Sequence, residues 1–94
     1  AIDKDGELVG QNDLRAQAVQ VLENIKLILR ASGAGMEDIV KVTVYVTDIR
    51  AFNDIADIRE SYFPSDGPAS VICEVNALAW PDFLIEIEAV AVVS

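Results

Sequence analysis

The sequence predicts an α+β fold, with two helices packed on one face of a mixed sheet. Three observations predict it. Apolar residues recur at three- and four-residue intervals from Leu14 to Leu29. They alternate with polar ones from Val40 to Thr47, and they return as nearly unbroken runs after Ser70. The order helix, strand, helix, strand, strand suits a layer of helices on a sheet. The 94 residues, 1–94, are read as a single domain, being too few for two independent cores.

Each element has a local cause. Lys4-Asp5-Gly6-Glu7 is a turn signal centred on Asp-Gly. Asn12 or Asp13 is placed to cap the first helix. Leu14, Ala18, Val21, Leu22, Ile25, Ile28 and Leu29 form its apolar stripe, and Gly33 ends it. That helix is about 19 residues and about 28 Å long. Val40, Val42, Val44 and Val46 alternate with Lys41, Thr43, Tyr45 and Thr47, which makes a strand. Asp48 caps a second helix, whose face carries Phe52, Ile55, Ile58 and Tyr62 and which Pro64 stops. Ser65 to Pro68 is a loop, and Ser70 to Leu78 a second strand. Ala79-Trp80-Pro81-Asp82 reads as a hairpin connection into a third strand, Phe83 to Val93.

Composition bounds the function. Apolar residues make up 52% of the chain, above the usual value of about 45–50%. A small domain with that excess is expected to bury apolar surface against another chain. The net charge of −9, with only 7 dispersed bases, argues against nucleic acid and anionic membranes as partners. With no histidine, Ser-His-Asp and Cys-His catalysis and histidine metal sites are excluded. The single cysteine, Cys73, cannot form an internal disulfide, which suits the cytoplasm. No run of about eighteen apolar residues is present. No metal or cofactor is expected.

The candidate site residues stand out by context. Glu74, Glu86 and Glu88 interrupt the most apolar strands, where a buried unpaired carboxylate is costly. Glu86 and Glu88 are assigned to different faces of their strand, so that at least one meets solvent. Glu86 is the candidate to line a cleft between chains. Lys41 is the one base inside a strand, either solvated or turned toward Glu86 or a ligand carboxylate. Cys73 reads as an inert core thiol, and Trp80 and Pro81 as packing.

Four stretches carry a resemblance. They are Ala16-Gln17-Ala18-Val19-Gln20-Val21-Leu22-Glu23-Asn24-Ile25, Asp38 to Val46, Gly67-Pro68-Ala69-Ser70 through Glu74-Val75, and Ile85-Glu86-Ile87-Glu88-Ala89-Val90-Ala91-Val92. In this order they resemble the Rid/YjgF family, also labelled endoribonuclease L-PSP. The resemblance implies a chorismate-mutase-like fold. Three copies would form a homotrimer around a central barrel, with ligand clefts between neighbours. It implies that an N-terminal strand hairpin usual in the family is missing before Ala1.

In the deaminating branch an imine or enamine is hydrolysed to a 2-oxo acid and ammonia. The arginine that grips the substrate carboxylate falls at Ser70, and serine offers no bidentate fork. A frequent asparagine falls at Ala56 and a frequent cysteine at Ile72. Glu86, the residue that orients the attacking water, is kept, and Lys41 also matches. The resemblance therefore implies a trimer that binds a small carboxylate or imine metabolite. Glu86 is its candidate catalytic residue, and Ser70, Ile72 and Lys41 are its candidate ligand contacts. The alternative is a non-catalytic ligand-binding or regulatory trimer. The ribonuclease label fits poorly with the acidic charge and the lack of histidine.

Overall fold

A computed structural model of the chain describes residues 2–63 and 67–93. Pro64, read as a helix stop, and Ser65 and Asp66 of the loop lie outside them. The first helix, α1, spans Leu14–Ala31. Asp13 caps it by accepting a hydrogen bond from the Ala16 N–H at 3.1 Å. Beyond its end Gly33 takes φ +82°, a left-handed conformation that glycine adopts without strain. Ala18 and Leu22 are buried, and Val21, Ile25 and Leu29 pack beside them. Ile28 departs from the expected stripe and is 66% exposed. It lies about 100° around the helix from Leu29, on the flank of the buried face.

A short 3-10 turn, Met36–Asp38, leads into strand β1, Ile39–Val46. The second helical region divides into a 3-10 segment, Ile49–Ile55, and helix α2, Ala56–Tyr62. Asp48 starts it by accepting from the Arg50 N–H. Its buried face carries Ile55 and Ile58, with Phe52 and Tyr62 alongside. Strands β2, Ala69–Glu74, and β3, Ile85–Ala91, complete the sheet.

The sheet order is β2-β1-β3, with β2 parallel and β3 antiparallel to β1. The expected hairpin between the last two strands is therefore wrong: they sit on opposite sides of β1. The crossover through α2 returns the chain parallel to β1 and fills one edge. The connection that follows is held by Gln17 of α1. Its Nε2 donates to the Asp82 carbonyl at 3.0 Å and its Oε1 accepts from the Leu84 N–H at 2.8 Å. Both strands are shorter than expected. β2 ends at Glu74, whose carboxylate accepts from the Ile49 N–H at 3.0 Å. β3 begins after a turn in which the Phe83 N–H donates to the Trp80 carbonyl and the two rings stack at 5.8 Å.

Both helices cover the same sheet face. Val42, Val44, Val46 and Ile85 are at most 2% exposed beneath them. The opposite face of the sheet carries no layer of its own among the described residues.

Candidate functional site

Register and burial assign every strand residue to a face. Val42, Ser70 and Ala89 share one cross-strand row, Val44, Ile72 and Ile87 the next, and Val46, Glu74 and Ile85 a third. These rows point toward the helices. The open face carries the rows between them: Lys41, Ala69 and Val90; Thr43, Val71 and Glu88; Tyr45, Cys73 and Glu86. Val71 and Val90 are 48% and 47% exposed there.

This grid corrects one assignment. Glu86 and Glu88 stand on the same face, because residues two apart on a strand point the same way. Both are exposed. Glu74 points the other way and caps the 3-10 segment, a structural task. Cys73 is a half-buried free thiol beside Tyr45, on the open face rather than in the core. Trp80, expected to pack, is 59% exposed and touches Phe83.

The candidate residues divide between faces and between ends. Ser70 and Ile72 project on the helix side, and Ser70 is exposed at the sheet edge. Glu86 and Lys41 share the open face, yet four residues of β1 separate their rows, about 13 Å at about 3.3 Å per residue. Lys41 makes no ion pair with Glu86 within one copy. Each end has its own hollow. One of about 360 Å³ lies at the Lys41–Ser70 end, bounded by Met36, Val40, Gly67 and Ala69. Another, of about 260 Å³, lies at the outer edge of β3 and is bounded by Asn24, Phe83 and Glu86. Within one chain Ser70 and Glu86 cannot touch one ligand.

The polar side chain that sequence reasoning missed is Gln17, with no exposed surface. Besides its bonds to Asp82 and Leu84 it donates to the Gly10 carbonyl at 2.9 Å, so it fixes the segment leading to Glu86. A third hollow, of about 530 Å³, gathers Glu23, Lys26, Arg30, Glu37 and Tyr62 between the helices, and none of the expected site residues. Burial, followed by the Glu23 carboxylate, pushes the Tyr62 phenol up. Among the described residues no group of three or more potential ligands gathers for a metal ion. Nor is any helix long and apolar enough to cross a membrane.

The comparisons with known proteins support the family and the fold. A family model described as Endoribonuclease L-PSP matches residues 1–93. The chain belongs to this L-PSP family. RutC family protein PH0854 of Pyrococcus horikoshii is 47% identical over 88 residues, covering 94% of this chain and 68% of the relative. A RutC family protein of Pyrococcus abyssi is 44% identical over 86 residues, covering 92% and 66%. The chain thus spans about two thirds of the length of these curated relatives. Among solved structures, the Rid family protein YyfB of Yersinia pestis, described as of unknown function, superposes with a TM-score of 0.89. It is 43% identical, and the match covers 99% of this chain and 72% of YyfB. RidA from an Antarctic Psychrobacter gives a TM-score of 0.86 at 32% identity, covering 96% and 71%.

Proposed function

We propose that this L-PSP family chain binds a small carboxylate or imine metabolite in clefts between copies of itself, as a homotrimer closed around a barrel of sheets. The observation that carries this reading is the division of the site. Ser70 and Lys41 mark one end of the sheet, Glu86 the other, and Ser70 faces away from both. A cleft where one end of a copy meets the opposite end of its neighbour reunites them. The open sheet face supports the same reading. A face meant for water alone is normally polar throughout, whereas this one sets Ala69, Val71, Cys73 and Val90 among Lys41, Thr43, Tyr45, Glu86 and Glu88.

In such a cleft Glu86 accepts a proton from water as the oxygen adds to the imine carbon. The C=N electron pair moves to nitrogen, which takes that proton back from Glu86, and a carbinolamine forms. Glu86 then accepts the hydroxyl proton and passes it to the amine nitrogen, the C–N bond breaks as the C=O bond forms, and ammonia leaves with a 2-oxo acid behind. Ser70 and Lys41 contact the ligand carboxylate, with Lys41 supplying the positive charge that the motif arginine would otherwise bring. Ile72 lines the apolar side.

The test is ammonia release from 2-iminopropanoate. Glu86→Gln is expected to lower turnover by about 100-fold or more, with the oligomer unchanged. Unchanged turnover removes Glu86 from the chemistry. Ser70 favours a second reading, a binding protein without catalysis, because a hydroxyl cannot grip a carboxylate through two parallel bonds. Thermal stabilisation by a small carboxylate without any turnover selects that reading. RNA cleavage is disfavoured by the charge of −9. RNA left intact by the pure protein rules it out.

A further inference from the structure

We propose that the hollow between the helices is a binding site for a small zwitterion, a molecule that carries an ammonium and a carboxylate on adjacent carbons as an α-amino acid does. The hollow lies within one chain, so the proposal stands whether or not copies associate. Its volume, about 530 Å³, falls within the range of about 300–1,000 Å³ usual for small-molecule sites. Its charged groups come from two places. Glu23, Lys26 and Arg30 follow one another at about one-turn intervals along α1 and share one stripe of the helix. Glu37 comes from the 3-10 turn beyond, and its carboxylate lies over Gly35, where an added Cβ would meet it.

Lys26 and Arg30 face the same hollow four residues apart, where like charges repel. Among the described residues neither is ion-paired to a carboxylate. An anionic group set between them relieves the repulsion and meets the Arg30 guanidinium fork. Glu23 precedes this pair along the chain and Glu37 follows it, so each end of the hollow has an acceptor for an ammonium. Glu23 stands beside the Tyr62 phenol, whose titration it raises. The Ser61 hydroxyl donates to the Ile58 carbonyl at 2.6 Å, which leaves its lone pairs to accept as well. Met36 and Ala34 form an apolar wall for the rest of the molecule. A simple anion is repelled by Glu23 and Glu37, and a simple cation by Lys26 and Arg30. A ligand with both charges complements all four.

Met36 and Glu37 also bound the hollow at the Lys41–Ser70 end, so the experiment must separate the two. The probe is L-leucine, titrated into the protein and followed by amide chemical shifts. The expected Kd is about 1 mM or tighter, with the largest shifts at Ala34, Gly35 and Tyr62. Two controls each lack one charge: 4-methylpentanoate has no ammonium and 3-methylbutylamine no carboxylate. Both are expected to bind at least about 10-fold more weakly. Lys26→Met, Arg30→Met and Glu23→Gln are each expected to weaken leucine by at least about 10-fold. Lys26 and Arg30 are exposed, so their replacement leaves the core untouched. Lys41→Met, at the sheet end, is expected to leave leucine binding unchanged. No shift at about 20 mM leucine overturns the site. So does binding that survives both Lys26→Met and Arg30→Met, or that is lost only in Lys41→Met. Equal binding of 4-methylpentanoate or 3-methylbutylamine overturns the zwitterion as its ligand.

Discussion

Gln17 has no exposed surface, and both ends of its amide are occupied. It holds Gly10, Asp82 and Leu84 from one position on α1. Truncation leaves two carbonyls and one N–H in a part-buried site without these partners. Gln17→Ala is expected to cost about 3 kcal/mol, near 1 kcal/mol for each lost bond, read from the urea midpoint. The clue was legible. Gln17 follows Leu14 by three residues and precedes Val21 by four, so it lies on the apolar stripe. A polar residue on a buried stripe needs partners, and those partners come from a loop 65 residues away that sequence spacing cannot place. The faces of the glutamates were legible as well, since period two alone puts Glu86 and Glu88 together. Their separation from Ser70 was not, because it depends on which strands pair.

At the scale of elements, the helices are joined by one ion pair. Arg15 of α1 donates through both guanidinium nitrogens to the two oxygens of Asp57 on α2, at 2.8 and 2.7 Å. The hydrogen bond from Arg15 holds the Asp57 carboxyl at about 2, below the usual carboxylate range. A lowered value in the folded state stabilises at neutral pH, and the gain is lost as pH falls from about 4 toward about 2. Asp57→Asn is expected to flatten stability across that window, as measured by thermal unfolding against pH. Both side chains are more than half exposed, so salt weakens the effect. The N-cap is a separate contribution: Asp13→Ala is expected to cost about 1 kcal/mol in the same unfolding assay. Strand β1 was readable because its alternation is strict. The positions of β2 and β3 were not, since a strand–helix–strand crossover and a near-hairpin look alike until pairing is known. β1 lies between them because α2 carries the chain back parallel, and Gln17 then draws the next connection to the far edge.

At the scale of the whole molecule, one sheet face is sealed by helices and the other bears exposed valines among two acids and a base. The family and the fold follow from the apolar pattern and the four motif stretches, and the match over residues 1–93 establishes the family. The proposed ligand cleft is not legible in one chain, because its candidate residues lie on opposite faces and at opposite ends. A site of that kind exists only if copies meet. Sedimentation equilibrium of the purified chain at micromolar concentration tests this most directly. The account predicts a particle of three times 10.2 kDa, reduced to single copies when Val71→Lys places a charge on the open face. A well-folded wild-type protein sedimenting at 10.2 kDa throughout would contradict it.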